Sequence, residues 1–244
     1  MAEAAERNED WPPLELDVSH LVTEDDEPVD NFFQDKQMNL LTDSLATSWS
    51  GARPFLTASD VGIFSTLQDP PLVPDMLLSM GVEFPSDILA KKHRSYYLWH
   101  FGKPPDLVIE VVSNAKGGED TTKLTGYARI KVPYYVIYDP EKILGTRPLR
   151  VFQLSPLDYV EQVGAALPGL GLKLTVWNGL YDGLQADWLR WTDKAGNLLL
   201  TGQEASLQAN NQARAAEEQT RAAEERVRKL EQALREAGIQ LPES

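Results

Sequence analysis

Apolar positions along the middle of this chain fall into short runs, and their spacing switches between two residues and three to four. In "PVDNFFQDKQMNLLTDSLATSW", Phe33, Leu40, Leu41 and Leu45 recur at helical intervals. That spacing predicts an amphipathic helix with Asp30 as its N-cap. Gln37 lies one turn after Phe33 and one before Leu41, which puts it on the inward face. Strand-like runs follow: "PFLTASDVGIF", "LVPDMLLSMGV", "PDLVIEVVS", "YYVIYDP", "LRVFQLS" and "LKLTVW", punctuated by Pro and Gly. Between the third and fourth lies "GGEDTTKLTGYARIKV", predicted as a helix of about a dozen residues that opens on Gly-Gly and a Thr/Asp-rich turn. Strand, helix and strand in that order predict a crossover within a mixed α/β sheet. "DWLRWTDKAGNLLLT" reads as a closing hairpin turning at Lys194–Asn197.

The end of the chain has another period. "RAAEEQT RAAEERV RKLEQAL REAGIQL" repeats every seven residues, with Thr220, Val227 and Leu234 at one position and Ala223, Leu230 and Ala237 three residues later. Glu217–Arg221, Glu224–Arg228, Glu225–Lys229 and Glu231–Arg235 are favourably oriented i, i+4 pairs, each worth roughly 0.2–0.5 kcal/mol. A solvated single helix and a short coiled coil joining two copies both fit this pattern. The expected division is an acidic leader over 1–28, an α/β domain over 29–202 and a heptad helix over 203–244.

Charge changes the picture less than its total suggests. The formal net charge is −14, but residues 1–30 hold eleven acids and one arginine, whereas residues 31–202 hold eighteen acids and sixteen bases. The globular part is therefore nearly neutral, and the total does not argue against an anionic partner. No cysteine is present, which excludes disulfides, thiolate metal sites and cysteine nucleophiles. The three histidines, His20, His93 and His100, are scattered and do not predict a zinc site. No apolar run approaches the ~20 residues of a membrane span. The first residues show no basic and apolar signal pattern, so a cytoplasmic location away from membranes is expected.

Within "PDLVIEVVSN", Glu110 interrupts an apolar strand. Alternation puts Asp106, Val108, Glu110 and Val112 on one face. A carboxylate there needs a basic partner, an open strand end or a bound cation. Asp75 heads a second apolar strand, also after a proline. If the two strands are neighbours, both carboxylates and nearby carbonyls converge into a hard-oxygen set suited to Mg²⁺. Lys123 lies early in the helix after Glu110, with Tyr127 one turn on and Ile130 continuing that face. Its ammonium either snorkels to solvent or turns toward Glu110, where it could orient a water and stabilise charge on a phosphate.

These residues resemble the PD-(D/E)XK nuclease superfamily, and more closely a large bacterial family of restriction-endonuclease-like proteins. The likeness rests on "VPDMLLSMG", "PPDLVIEVVSN", the helix "VDNFFQDKQMNLLTDSL" and above all "EDTTKLTGYARIKVPYYVIYDP". It covers roughly residues 28–237 and includes the "WLRWTDKAGNLL" hairpin and the Glu/Arg/Ala-rich last helix. It implies a restriction-endonuclease-like α/β core and Mg²⁺-dependent (or Mn²⁺-dependent) hydrolysis of DNA by an activated water. On that template Asp75 and Glu110 hold the metal with the carbonyl of Val111. Val112 stands where the superfamily's usual lysine would be, so Lys123 supplies the amine from the next helix. Many members add a glutamate from the first helix. Here Gln37 is the expected counterpart and Gln34 the runner-up. Asp106 is a second metal ligand or a strand-entry residue.

"AKKHRSYYLWH" combines Lys91, Lys92 and Arg94 with Tyr96, Tyr97 and Trp99, a mix suited to DNA contacts or to an ordinary solvated loop. A different class of function also fits: a non-catalytic nuclease-fold module that assembles through its last helix. A small-molecule phosphoesterase would use the same site.

Overall fold

The computed structural model describes Asp17, residues 31–51 and residues 54–236. The leader apart from Asp17, the expected cap Asp30, the heptad position Ala237 and the side chain of Arg235 lie outside the described residues. The chain divides into two compact units, one ending at Leu199 and one beginning at Leu200.

The first unit opens with α1 (Phe32–Ser48), capped by Asn31, whose side chain accepts from the Gln34 backbone N–H at 2.9 Å. Next come β1 (Phe55–Ala58), β2 (Ile63–Phe64), β3 (Met76–Met80), a 3₁₀ turn (Lys91–His93), β4 (Tyr96–Tyr97) and α2 (Leu98–Phe101). β5 (Leu107–Val111), α3 (Thr122–Arg129) and β6 (Tyr134–Tyr138) form the crossover unit, and β7 (Leu149–Leu154) and β8 (Tyr159–Glu161) complete the main sheet. Its order is β1-β3-β5-β6-β7-β8, with β5 and β6 parallel and the other neighbours antiparallel. β9 (Ala166–Leu167), β10 (Leu172–Tyr181) and β11 (Leu184–Thr192) make a second sheet. This is the mixed α/β architecture that the strand–helix–strand pattern predicts.

Alternation along β5 divides the core in two. Leu107, Ile109 and Val111 pack with Leu41 and Leu45 of α1 and with Leu174, Leu189 and Trp191 of the second sheet. Val108 and Val112 pack on the other face with Tyr127, Ile130 and Tyr135. Glu110 shares that second face, under α3.

Some elements differ from expectation for identifiable reasons. α3 has eight residues, shorter than expected. Its end is set by Lys131 in the left-handed region (φ 66) two residues before Pro133. "PFLTASDVGIF" splits into β1 and β2 around Asp60, which also has positive φ. β10 runs on past Trp177 to meet β11 through Asp182-Gly183, both at positive φ (48° and 80°). That is the Asp-Gly chemistry of a tight hairpin. The turn after β11 lies as expected, with Thr192 bridged to Leu198 and Asp193 bonded to Asn197.

The second unit contains α4 (Gly202–Glu236). A reciprocal cap starts it: Glu204 N–H donates to Thr201 Oγ1 at 3.2 Å, and Thr201 N–H donates to Glu204 Oε2 at 2.8 Å. Lys229 and Glu225 pair at 2.7 Å. Val227 and Leu230 of the heptad face remain exposed. Among the described residues, no helix is long and apolar enough to cross a membrane.

Candidate active site

β3 and β5 pair antiparallel with Met76 opposite Ile109. Asp75, one residue before Met76, therefore falls beside Glu110 and Val111 at the exit of β5. Its Oδ2 accepts from the Val111 backbone N–H, and its Oδ1 accepts from Gln34 Nε2 at 2.9 Å. The same Gln34 amide nitrogen donates to the Val111 carbonyl at 3.4 Å. Glu110 is 1% exposed. Lys123 Nζ donates to its Oε2 at 2.7 Å, and Tyr127 O–H donates to its Oε1 at 2.7 Å. Both donors come from α3, four residues apart, and that spacing sets them one above the other on its inner stripe. Tyr127 is held by Tyr135, with ring centroids 5.2 Å apart.

Glu110 is thus neither unpaired nor at an open strand end: a helix delivers an ammonium and a phenol to its two oxygens. Compensation is still incomplete. Burial pushes Glu110 up to about 8; the Lys123 ammonium and the Lys123 and Tyr127 hydrogen bonds oppose this, whereas the Asp75 charge adds to it. Burial also raises Asp75, against the pull of the Val111 N–H, Lys123 and Gln34. For Lys123, burial alone would lower the ammonium, but Glu110, Asp75 and Glu119 outweigh it and hold it above the ordinary lysine value. More anion than cation is gathered here.

The donor set fits a hard divalent cation. Two carboxylates and the Val111 carbonyl are all oxygen, and Mg²⁺ uses one or two protein carboxylates, the rest of its shell coming from waters and phosphates. Among the described residues, no three Asp, Glu or His side chains gather as a candidate ion cage. The amide nitrogen of Gln34 faces two of the three oxygens, which is how a donor behaves at a cation-seeking position.

Other expected residues go elsewhere. Gln37 does face inward, but its amide clamps β11: Nε2 donates to the Leu189 carbonyl at 2.9 Å, and Oε1 accepts the Leu189 N–H at 2.8 Å. Gln34, one turn earlier, is the first-helix residue at the carboxylates. Helical periodicity alone leaves Gln34 and Gln37 on nearly the same face, so only the packing of α1 separates them. Asp106 is not a ligand beside Asp75. Its Oδ2 accepts the Met80 N–H at 2.6 Å and pairs with Lys103, at the opposite end of β3 and β5. It is the strand-entry residue.

Lys91, Lys92 and Arg94 are exposed around the 3₁₀ turn. Their aromatic neighbours are not a stacking platform. Tyr96 and Tyr97 are each 1% exposed, with Tyr96 stacked on Phe101 and Tyr97 packed at a tilt against Phe64 and Trp99. Only Trp99 of the three is half-buried. Glu119 is a residue that pattern reasoning missed. It is 6% exposed, and its Oε2 has no hydrogen-bond partner among the described residues. The available signal is its place four residues before Lys123, directly after Gly-Gly.

A search of curated proteins gives no match. The family model Uma2, described as "Putative restriction endonuclease", matches residues 24–176, which include β3, β5, α3 and the Asp75, Glu110 and Lys123 constellation they carry. With more than half of its length matched, the chain belongs to the Uma2 family of restriction-endonuclease-like proteins.

Proposed function

We propose that the chain is a divalent-cation-dependent endonuclease that hydrolyses DNA phosphodiester bonds, with Asp75, Glu110 and Lys123 as its catalytic residues. One observation carries this reading: two buried carboxylates from neighbouring strands and one lysine from the crossover helix meet beside the Val111 carbonyl. Asp75, Glu110 and that carbonyl would hold Mg²⁺ or Mn²⁺. When bound, such an ion supplies Lewis acidity toward a phosphodiester oxygen and lowers the pKa of water.

The chain's own groups do the rest. The Val111 N–H and Gln34 orient Asp75, and Tyr127 fixes the Glu110 oxygen that Lys123 does not hold. Lys123, 29% exposed at its side chain, is the member of the group that reaches solvent. Its ammonium orients the attacking water and stabilises charge developing on the phosphoryl oxygens. The water gives up a proton as its oxygen bonds to phosphorus, the bond from phosphorus to the leaving sugar oxygen breaks, and that sugar oxygen takes up a proton. The exposed Lys91, Lys92 and Arg94 supply phosphate contacts along the DNA. Exposure of Val227 and Leu230 on the heptad face supports a homodimer joined through α4, in a protein working in the cytoplasm.

The test is supercoiled plasmid with Mg²⁺ or Mn²⁺, comparing wild type with Glu110→Ala and Lys123→Ala. Nicking by wild type alone supports the reading. Equal nicking by all three would assign the activity to a contaminant. No nicking, together with no carboxylate-dependent Mn²⁺ binding and a concentration-dependent oligomer, would favour the assembly module instead.

A further inference from the structure

We propose that Glu119 is a standby counter-ion for Lys123, a positioning residue that receives the ammonium when Glu110 turns to a bound cation; this rests on the cation-dependent reading above. In the described structure Lys123 is bonded to Glu110 at 2.7 Å. That contact is incompatible with full use of the same carboxylate by a divalent ion. Two like charges would then share one carboxylate, and the ammonium needs another acceptor close by.

Glu119 meets the requirement. It lies four residues before Lys123, in the turn ahead of α3, is 6% exposed, and among the described residues leaves Oε2 without a donor. A buried carboxylate oxygen without a partner is costly in one state and is explained by use in another. Its placement is built rather than incidental. The carboxyl folds over the backbone of Gly117, where a Cβ would come within 2.1 Å of Oε1. Gly118 follows in the left-handed region (φ 72) that lets the chain turn there. The Glu119 carbonyl accepts from Tyr135 O–H at 2.7 Å, and Tyr135 packs on Tyr127, which holds the other oxygen of Glu110. Both prospective partners of Lys123 are thus fixed to one aromatic pair. The Glu119 charge already acts on the site, raising both Lys123 and Asp75.

The exchange predicts a coupling that can be measured on the full-length protein by Mn²⁺ calorimetry in a double-mutant cycle. Glu119→Gln strands the ammonium on Glu110, where it competes with the ion, and Mn²⁺ affinity is expected to fall about fivefold. In a Lys123→Met background the same change is expected to cost less than about twofold, because nothing remains to be relocated. Gly117→Ala keeps the charge but displaces the carboxyl, and should behave like Glu119→Gln. It is also the substitute if Glu119→Gln fails to fold. Equal losses in both backgrounds would mean that Glu119 acts on the ion by its field and not through Lys123, which overturns the proposal. No loss in either overturns it as well, as does abolished Mn²⁺ binding in Lys123→Met alone. Absence of Mn²⁺ binding by wild type would sink both this inference and the endonuclease reading, whereas the other failures leave that reading standing.

Discussion

The two ends of the β3–β5 pair make an instructive contrast. Each has a carboxylate that follows a proline, Asp75 at one end and Asp106 at the other, and each has a lysine. At the Asp106 end the groups are matched one to one. Lys103, three residues away in sequence, pairs with the carboxylate and donates to the Met80 carbonyl at 2.9 Å, and the Met80 N–H donates to the same carboxylate. Both side chains keep about a quarter to a third of their surface in water (22% and 33%). At the other end the buried Asp75 and Glu110, with Glu119 acting on Asp75, share among the described residues the single ammonium of Lys123. An ion pair made of sequence neighbours at a wet edge closes its own charge balance. A buried site with surplus carboxylate does not, and its missing positive charge is the physical argument for a cation there.

The largest effect expected from this contrast is on activity. Glu110→Ala or Lys123→Ala should lower Mn²⁺-dependent plasmid nicking by about 10²-fold or more, while Lys103→Ala should leave it within about threefold. Comparable losses at both ends would dissolve the distinction.

Next in size is a stability effect confined to one residue of α1. Gln37→Ala strands the Leu189 N–H and carbonyl in the core, and chemical denaturation should show a loss of roughly 2–3 kcal/mol. Mn²⁺ affinity should not change. Gln34→Ala should show the reverse pattern, with the larger change in affinity.

The pH dependence follows from Glu110. Its folded value, about 8, is above the ordinary carboxylate range. The metal-free folded chain therefore binds more protons than the unfolded chain between about pH 4.5 and 8, and stability should fall as pH rises through that window. Glu110→Gln should flatten the fall in denaturation curves. Cation binding at pH 7 must displace that proton, so calorimetry in buffers of different ionisation enthalpy should register proton release that fades above about pH 8. No release at pH 7 would mean that the carboxylate is already ionised. The smallest effect belongs to the wet end: Asp106→Asn should cost at most about 1 kcal/mol with no change in Mn²⁺ affinity.

Local chemistry made much of this molecule legible. The lone carboxylate in "PDLVIEVVSN", the inner stripe Lys123–Tyr127–Ile130 and the strand–helix–strand order all depend on periodicities of two and 3.6 residues, which any chain must obey. Those patterns put Glu110 on the face shared with Val108 and set Lys123 and Tyr127 on one stripe of α3; that the two donors reach the two Glu110 oxygens is a matter of packing. They also marked α4 by its heptads. What they could not decide were matters of neighbourhood. Gln34 and Gln37 sit on one face of α1, and only the second sheet's grip on Leu189 sends one to structure and leaves the other for Asp75. "YYLWH" looks like an aromatic recognition surface until Ser79 and Phe101 draw Tyr96 inward.

The amino-acid order by itself determined which residues could form strands, which helix crosses between them, and which titratable groups each would carry on its buried side. Register and packing alone decided that Asp75 meets Val111 rather than Asp106, and that Glu119 rests over Gly117 within electrostatic reach of Lys123. The physical reason is that periodicity constrains a residue's direction from its own element. The sharing of one desolvated volume by charges 35 residues apart, as Asp75 and Glu110 are, is fixed by how separate elements pair and stack.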